Sequence, residues 1–295
     1  MLSVIIPSRN EPFLQKTIHD LLSKAKGEIE IIAILDGCWQ NPPLENDDRL
    51  VVLHRGKSQG MRNGINSAVA ISKGEYLMKT DAHCMFDEGF DVKLIEHSKH
   101  NWIQIPRRKR LDADNWCIQD VGKIDIDYEY LSYPEDKADF GGPALTGKKW
   151  NERTSSRTDI LIDDTPASQG SCWFMEKVYF KELELMDEQN YGPFWCESQE
   201  LAFRCVLSGG RYVVNKNTWY AHLHKGKKHG RGYSMSNSWL TQGRNETMRY
   251  FEGHKVWHKQ KYPLSHLIEM HMPMPTWDEE KLNFLKENEK RNFTQ

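Results

Sequence analysis

Apolar positions along the first hundred residues alternate between two rhythms. Residues 3–7 form a short β-branched run stopped by proline, and across 11–25 the residues Phe13, Leu14, Ile18, Leu21 and Leu22 return at helical spacing. Residues 29–35 are apolar on both faces of a strand and end in Asp36-Gly37, and 50–54 make a further short strand. Residues 60–72 are helical through Met61, Ile65, Ala68 and Ile71, and 75–80 form a fourth strand that runs into Asp81-Ala82-His83-Cys84. Near-continuous apolar strands separated by helices are what a mostly parallel sheet with helices on both faces requires. The pattern predicts an α/β fold.

After a helix over 90–100 and a strand over 102–106 the character changes. Residues 107–167 are basic, acidic and polar by turns with little periodicity, as expected of an excursion over a cleft. Order returns with a strand at 171–175, a helix at 177–185 and a helix at 197–208 closed by Gly209-Gly210. Strands at 211–215 and 218–223 follow. Beyond 225 the chain is rich in Lys, Gly, His and Trp and ends in a charged helix, 278–290, expected to pack outside the body through Leu282 and Leu285. The organisation expected is a catalytic domain over 1–224 and, over 225–295, a basic loop with a small C-terminal helical extension.

Composition narrows the partners. Lys and Arg total 40 against 42 Asp and Glu, a formal net charge of −2, so a polyanion must be attracted by a local patch and not by the field of the whole molecule. No apolar run approaches the ~20 residues that cross a bilayer, and the first residues show neither a basic region nor a long apolar one. A cytoplasmic chain that engages no membrane is the expectation. The 6 cysteines are scattered without a C-x-x-C pair, which points to free buried thiols and away from a zinc ribbon.

In an open α/β sheet, ligands bind beyond the carboxyl ends of the strands. Ser8-Arg9-Asn10-Glu11 follows the first strand here, Asp36-Gly37 the second and Asp81-Ala82-His83 the fourth. On extended backbone, positions 81 and 83 point the same way and can grip one cation between a carboxylate oxygen and an imidazole nitrogen. His222 and His224, at the end of the last strand, have the chemistry of a third ligand, and such O/N ligation suits Mn²⁺, or Mg²⁺, beside phosphates. Taken alone, Asp-x-His does not separate a ligand pair from a polar strand cap.

The order of the motifs adds more. Ser-Val-Ile-Ile-Pro at the start, a strand ending in Asp-Gly, the Gly60-x-x-Asn63-Gly64 helix start, and Lys73-Gly-Glu-Tyr-Leu-Met-Lys-Thr-Asp-Ala-His resemble nucleotide-sugar glycosyltransferases of GT-A (Rossmann-like) architecture. In the second half, Gly170-Ser-Cys-Trp-Phe-Met, Met186-Asp-Glu, Trp195-Cys-Glu-Ser-Gln-Glu-Leu-Ala-Phe-Arg204 and Ala221-His-Leu-His are similar to stretches of the polypeptide N-acetylgalactosaminyltransferases, whose metal motif is also D-x-H-C. The resemblance implies a UDP-sugar donor, with Asp81, His83 and His222 as metal ligands and His224 matching an aromatic position. It implies that Asp36 hydrogen-bonds the uracil, that Pro7 and Arg9 border the nucleotide together with Glu11, Arg62 and Lys225, and that Glu197 and Glu200 face the sugar and acceptor as the catalytic pair. Residues three apart share a helix face, which fits the last point. Ser198 stands where that family has Asn, and the sugar, the acceptor and the stereochemistry are not carried over.

Two basic segments bear on the acceptor. Arg107-Arg108-Lys109-Arg110 and Lys225 to Tyr233, interleaved with Trp102, Trp116 and Trp239, can make a path for a phosphate backbone with aromatic faces for bases. A hydroxymethylated pyrimidine in DNA, as in phage genomes, is then the acceptor expected, against a cell-envelope saccharide or a protein hydroxyl. In its simpler reading the second segment is a glycine-hinged lid that sets a cation on the diphosphate. Rival classes are a binding module without chemistry and a metal-dependent nuclease built on His254-x-x-x-His258, which lacks the intervening Glu of a zincin helix.

Overall fold

The computed structural model describes residues 1–119, 122–134, 142–234 and 236–293, and of Lys227 the backbone alone. The early pattern gives the elements it predicts. Strands β1 (Leu2–Ser8), β2 (Ile29–Asp36), β3 (Leu50–Arg55) and β4 (Tyr76–Thr80) lie parallel in the order β4-β1-β2-β3, with α1 (Leu14–Lys24) and α2 (Met61–Ile71) as crossovers. Alternation along these strands feeds two cores. Val4, Ile6, Ile31 and Ala33 pack with Leu14, Ile18 and Leu21 of α1 on one face, while Ile5, Ile32 and Ile34 pack with Ile65 and Ala68 of α2 on the other.

A short β5 (Cys84–Phe86) and α3 (Phe90–Glu96) precede β6 (Trp102–Asp112). This strand is twice as long as the apolar run at its start suggests. Arg107 donates to Asp127 at 2.7 and 2.8 Å, Lys109 to Asp125 at 3.1 and 3.3 Å, and Arg108 to Glu129 at 2.5 Å and Gln169 at 2.6 Å. Three consecutive cations thus meet three alternating acids as the strand runs on, which a search for apolar periodicity misses. The excursion carries β7 (Cys117–Ile118), β8 (Glu129–Leu131), β9 (Gly147–Lys149), α4 (Asn151–Ser156) and β10 (Ile162–Asp164), so it is built of short elements; positions 120–121 and 135–141 lie outside the described residues.

Next come β11 (Cys172–Glu176), α5 (Lys177–Glu182), α6 (Glu188–Tyr191), α7 (Glu197–Leu207) and β12 (Arg211–His222). Among the described residues ten strands join one sheet in the order β10-β12-β6-β11-β4-β1-β2-β3, with β5 on β12 and β7 on β6. The pairs β6/β12 and β1 to β4 are parallel, and β11 runs antiparallel between β4 and β6. The two strands expected at 211–223 are one, shifted in register between Asn215 and Trp219 where Pro106 lies opposite. Proline brings no N–H to the ladder, and the irregularity falls there.

Beyond β12 lie α8 (Gly226–His229), α9 (Asn237–Phe251), α10 (Leu264–Glu269) and α11 (Glu279–Asn292). α11 packs on the body through Leu285 and the partly buried Leu282, as expected, while the stretch before it is set deeper. Tyr250, Trp257, Leu264, Leu267, Ile268, Met274, Trp277 and Leu285 join the same core as α2 and α7, and Trp277 Nε1 donates to the Leu131 carbonyl at 2.8 Å. No helix among the described residues is long and apolar enough to cross a membrane.

Candidate metal site and cleft

β4 stops at Thr80 and β5 starts at Cys84, so Asp81, Ala82 and His83 form a bend, where continued extended backbone was expected. β5 pairs with β12 so that His222 lies opposite Cys84, and the Leu223 N–H donates to the His83 carbonyl at 3.2 Å. Strand register therefore carries His222 to the bend across 141 positions of chain.

Ligand atoms of Asp81, His83 and His222 all lie within 4.8 Å of one another, the one such group of His, Cys, Asp and Glu among the described residues. Asp81 Oδ2 is 3.3 Å from His222 Nε2 and 3.9 Å from His83 Nε2. Donors held at ~2.1 Å from a single ion stand roughly 3–4 Å apart, so the two Asp81–imidazole distances match those around a divalent cation. Glu11 Oε2 lies 3.1 Å from His83 Nδ1, which leaves Nε2 turned to the site. His222 is paired through Nε2 with Asp81 alone, and its Nδ1 is buried without a partner among the described residues. His224 packs edge-on against His222 with ring centroids 5.2 Å apart and is not in the group.

Electrostatics favour ligation. Burial presses Asp81 toward its neutral form, but Lys79 and the two imidazoles outweigh it and hold the carboxyl well below the ordinary range. Burial pushes His222 down to about 4, so its ring is neutral, the form that binds metal, at physiological pH. Glu197 is raised, burial being the largest cause, with Lys79 opposing it.

The site opens into a cavity of about 890 Å³ whose lining includes Pro7, Arg9, Glu11, Asp36, Glu197 and Lys225. Asp36 uses both oxygens on the entry to α2, accepting from Ser58 Oγ at 2.7 Å, Gln59 N–H at 2.9 Å and Gly60 N–H at 3.0 Å. Gly60 has φ +92°, and a Cβ there would come within 2.4 Å of Pro193. Lys225 is paired with Glu11, Arg9 lies 4.8 Å from the Tyr233 ring, and Lys228 meets Asp114, so the basic segment is folded back toward the cleft.

Two expected site residues are elsewhere. Arg62 and Glu200 are fully buried and joined at 2.8 Å, away from the cavity lining. The shared-face argument fails because α7 is buried all round, and the side that meets the cleft at 197 is covered at 200. Glu200 also accepts from the Asp187 N–H at 2.6 Å, and Arg62 donates to the carbonyls of Gly192 at 3.2 Å and Trp195 at 2.7 Å. The pair therefore fixes the 187–196 segment, including the left-handed Trp195 and Cys196 that turn the chain into α7.

The first basic run is internally paired, as described, apart from Arg110, which donates to the Ile124 carbonyl at 2.9 Å. Trp102 is stacked under Arg211 and Trp116 beside Phe13, so of the four interleaved aromatics only Tyr233 and Trp239 line the cavity. His254 and His258 face Glu252 and Glu184 separately and form no shared site. One residue escaped the sequence reading. Lys79 is 1% exposed and donates to Asp81 Oδ1 at 2.8 Å, the Gly170 carbonyl at 2.8 Å and Glu197 Oε2 at 3.0 Å. Its signal was a lone lysine in an apolar strand, two positions before Asp81.

A sheet of this order, with a carboxylate and two imidazoles gathered at the strand ends above a large cleft, is a GT-A-like architecture. The chain belongs to glycosyl transferase family 2, whose model matches residues 3–183. Among solved structures it is similar to GalNAc-T7 with UDP, GalNAc and Mn²⁺, at 15% identity and a TM-score of 0.66, over 98% of this chain and 54% of that one. It is also similar to S. aureus TarS 1–349 in complex with UDP-GlcNAc, at 13% identity and a TM-score of 0.51, over 97% of this chain and 71% of that one. The chain thus spans about half the length of the GalNAc-T7 chain it matches. At such identities the likeness is one of fold.

Proposed function

We propose that this chain transfers a hexose or N-acetylhexosamine from a UDP-sugar to a hydroxyl acceptor with the help of Mn²⁺ or Mg²⁺. The observation that carries the reading is the convergence of Asp81, His83 and His222 on one point beside the cavity. Three protein ligands leave positions for a diphosphate, and a divalent ion bound there supplies charge neutralisation of the leaving group. Asp81, His83 and His222 would hold it, and Glu11 would fix His83. Pro7 and Arg9, which line the cavity, would border the nucleotide. Glu197, with a carboxyl raised by burial, stands in the wall as the candidate group for the acceptor hydroxyl.

Incubation with a panel of UDP-sugars and Mn²⁺ is expected to release UDP and to stop with EDTA. Release that is indifferent to chelation would count against the metal reading. For the acceptor, the pairing of Arg107, Arg108 and Lys109 with acids removes the support that the first basic run lent to a DNA backbone, and a saccharide or protein hydroxyl is the reading we favour. Binding of DNA containing hydroxymethylated pyrimidine is therefore expected to be weak and nearly flat between ~50 and 200 mM salt, whereas a steep loss over that range would restore the nucleic acid.

A further inference from the structure

Lys79 sits in β4 between Ile5 of β1 and Trp173 of β11, one alternation beyond the fully buried Leu77. Taking an ammonium out of water there is costly, and an apolar side chain of similar volume would avoid the cost. The charge needs a reason that packing does not give. All three of its N–H groups are used, and two of them separate carboxylates of different kinds: Asp81, which faces the two histidines through Oδ2, and Glu197, whose Oε1 accepts from Trp173 Nε1 at 2.7 Å. Hard divalent cations gather carboxylate oxygens wherever several are within reach. Two unneutralised carboxylates beside one bend would both be drawn onto the ion.

We propose that Lys79 is a positioning residue that keeps Glu197 out of the cation's coordination sphere. It satisfies Glu197 and one oxygen of Asp81, so the ion is held by Asp81 Oδ2 and the two imidazoles, with its other positions left to the donor's phosphates. Repulsion between ammonium and dication also keeps the hold loose until a nucleotide arrives. The inference rests on the metal reading above.

Titration of the intact chain with Mn²⁺, followed by the electron paramagnetic resonance of the free ion with and without UDP, tests it. In the unaltered protein UDP is expected to tighten Mn²⁺ binding. Lys79→Met is expected to bind Mn²⁺ at least ~10-fold more tightly without nucleotide, and to gain little from UDP, because Glu197 becomes a ligand. The double variant Lys79→Met/Glu197→Gln is expected to return toward the original affinity, a reversal that a merely structural lysine does not produce. If the methionine variant fails to fold, Lys79→Gln is read in the same way. Unchanged or weaker Mn²⁺ binding in the Lys79 variants overturns the proposal. Failure of the unaltered protein to bind Mn²⁺ saturably, compared with Asp81→Ala, removes the metal reading and this inference with it, and involves no Lys79 variant.

Discussion

Replacing Asp81 with alanine is expected to reduce UDP-sugar turnover by at least ~10³-fold while the thermal midpoint in EDTA falls by roughly 3–12 °C. A unit charge ~4 Å from another is worth about 4 kcal/mol at an effective dielectric of 20, and each ~1.4 kcal/mol is a factor of ten in rate. The fold loses much less. Lys79 keeps Gly170 and Glu197 as acceptors when Asp81 is gone, so the loss is of the order of one charged hydrogen bond, roughly 1.5–3 kcal/mol. Paired measurements of turnover and melting check both halves, and a variant with full turnover would remove Asp81 from the reaction.

The second large effect has the opposite profile. Glu200→Gln preserves shape but leaves the Arg62 guanidinium buried against carbonyls alone, a loss of about 3–5 kcal/mol for a broken buried pair. At ~2–4 °C per kcal/mol for a chain of a few hundred residues, the midpoint is expected to drop by roughly 6–20 °C. Protein assayed well below that midpoint is expected to keep its KM for the donor. Turnover lost at an unshifted midpoint would instead put Glu200 in the reaction.

These two carboxylates show how far one-dimensional reading reaches. Asp81 and His83, with His222 or His224, stand out as candidates because strand ends are where an α/β sheet presents ligands and order along the chain locates those ends; the choice of His222 came from the family resemblance, and the structure groups it with the other two. Arg62 and Glu200 were misplaced because helical periodicity tells which residues share a face and not what covers it; α2 and the 187–196 segment decide that, through contacts across 130 and more positions. The basic stretch after Pro106 was taken for a surface path because its counter-charges, Asp125, Asp127 and Glu129, belong to a stretch without apolar rhythm. Lys79 was overlooked for the converse reason: inside an apolar run a single charge looks like an exposed strand end until its three acceptors are seen in space.

The helices after β12 set a limit on trimming. Eight of their large side chains and those of their connections lie in the principal core, each contributing roughly 1.5–3 kcal/mol, against a net stability for a domain of ~5–15 kcal/mol. A nick in the glycine-flanked stretch around Gly226 and Gly230 leaves those anchors in place, whereas deleting everything beyond it uncovers the floor beneath α7 and, with it, the shelf on which Glu197 stands. Shortened versions of this chain that end after His224 would therefore lose the body along with the appendage.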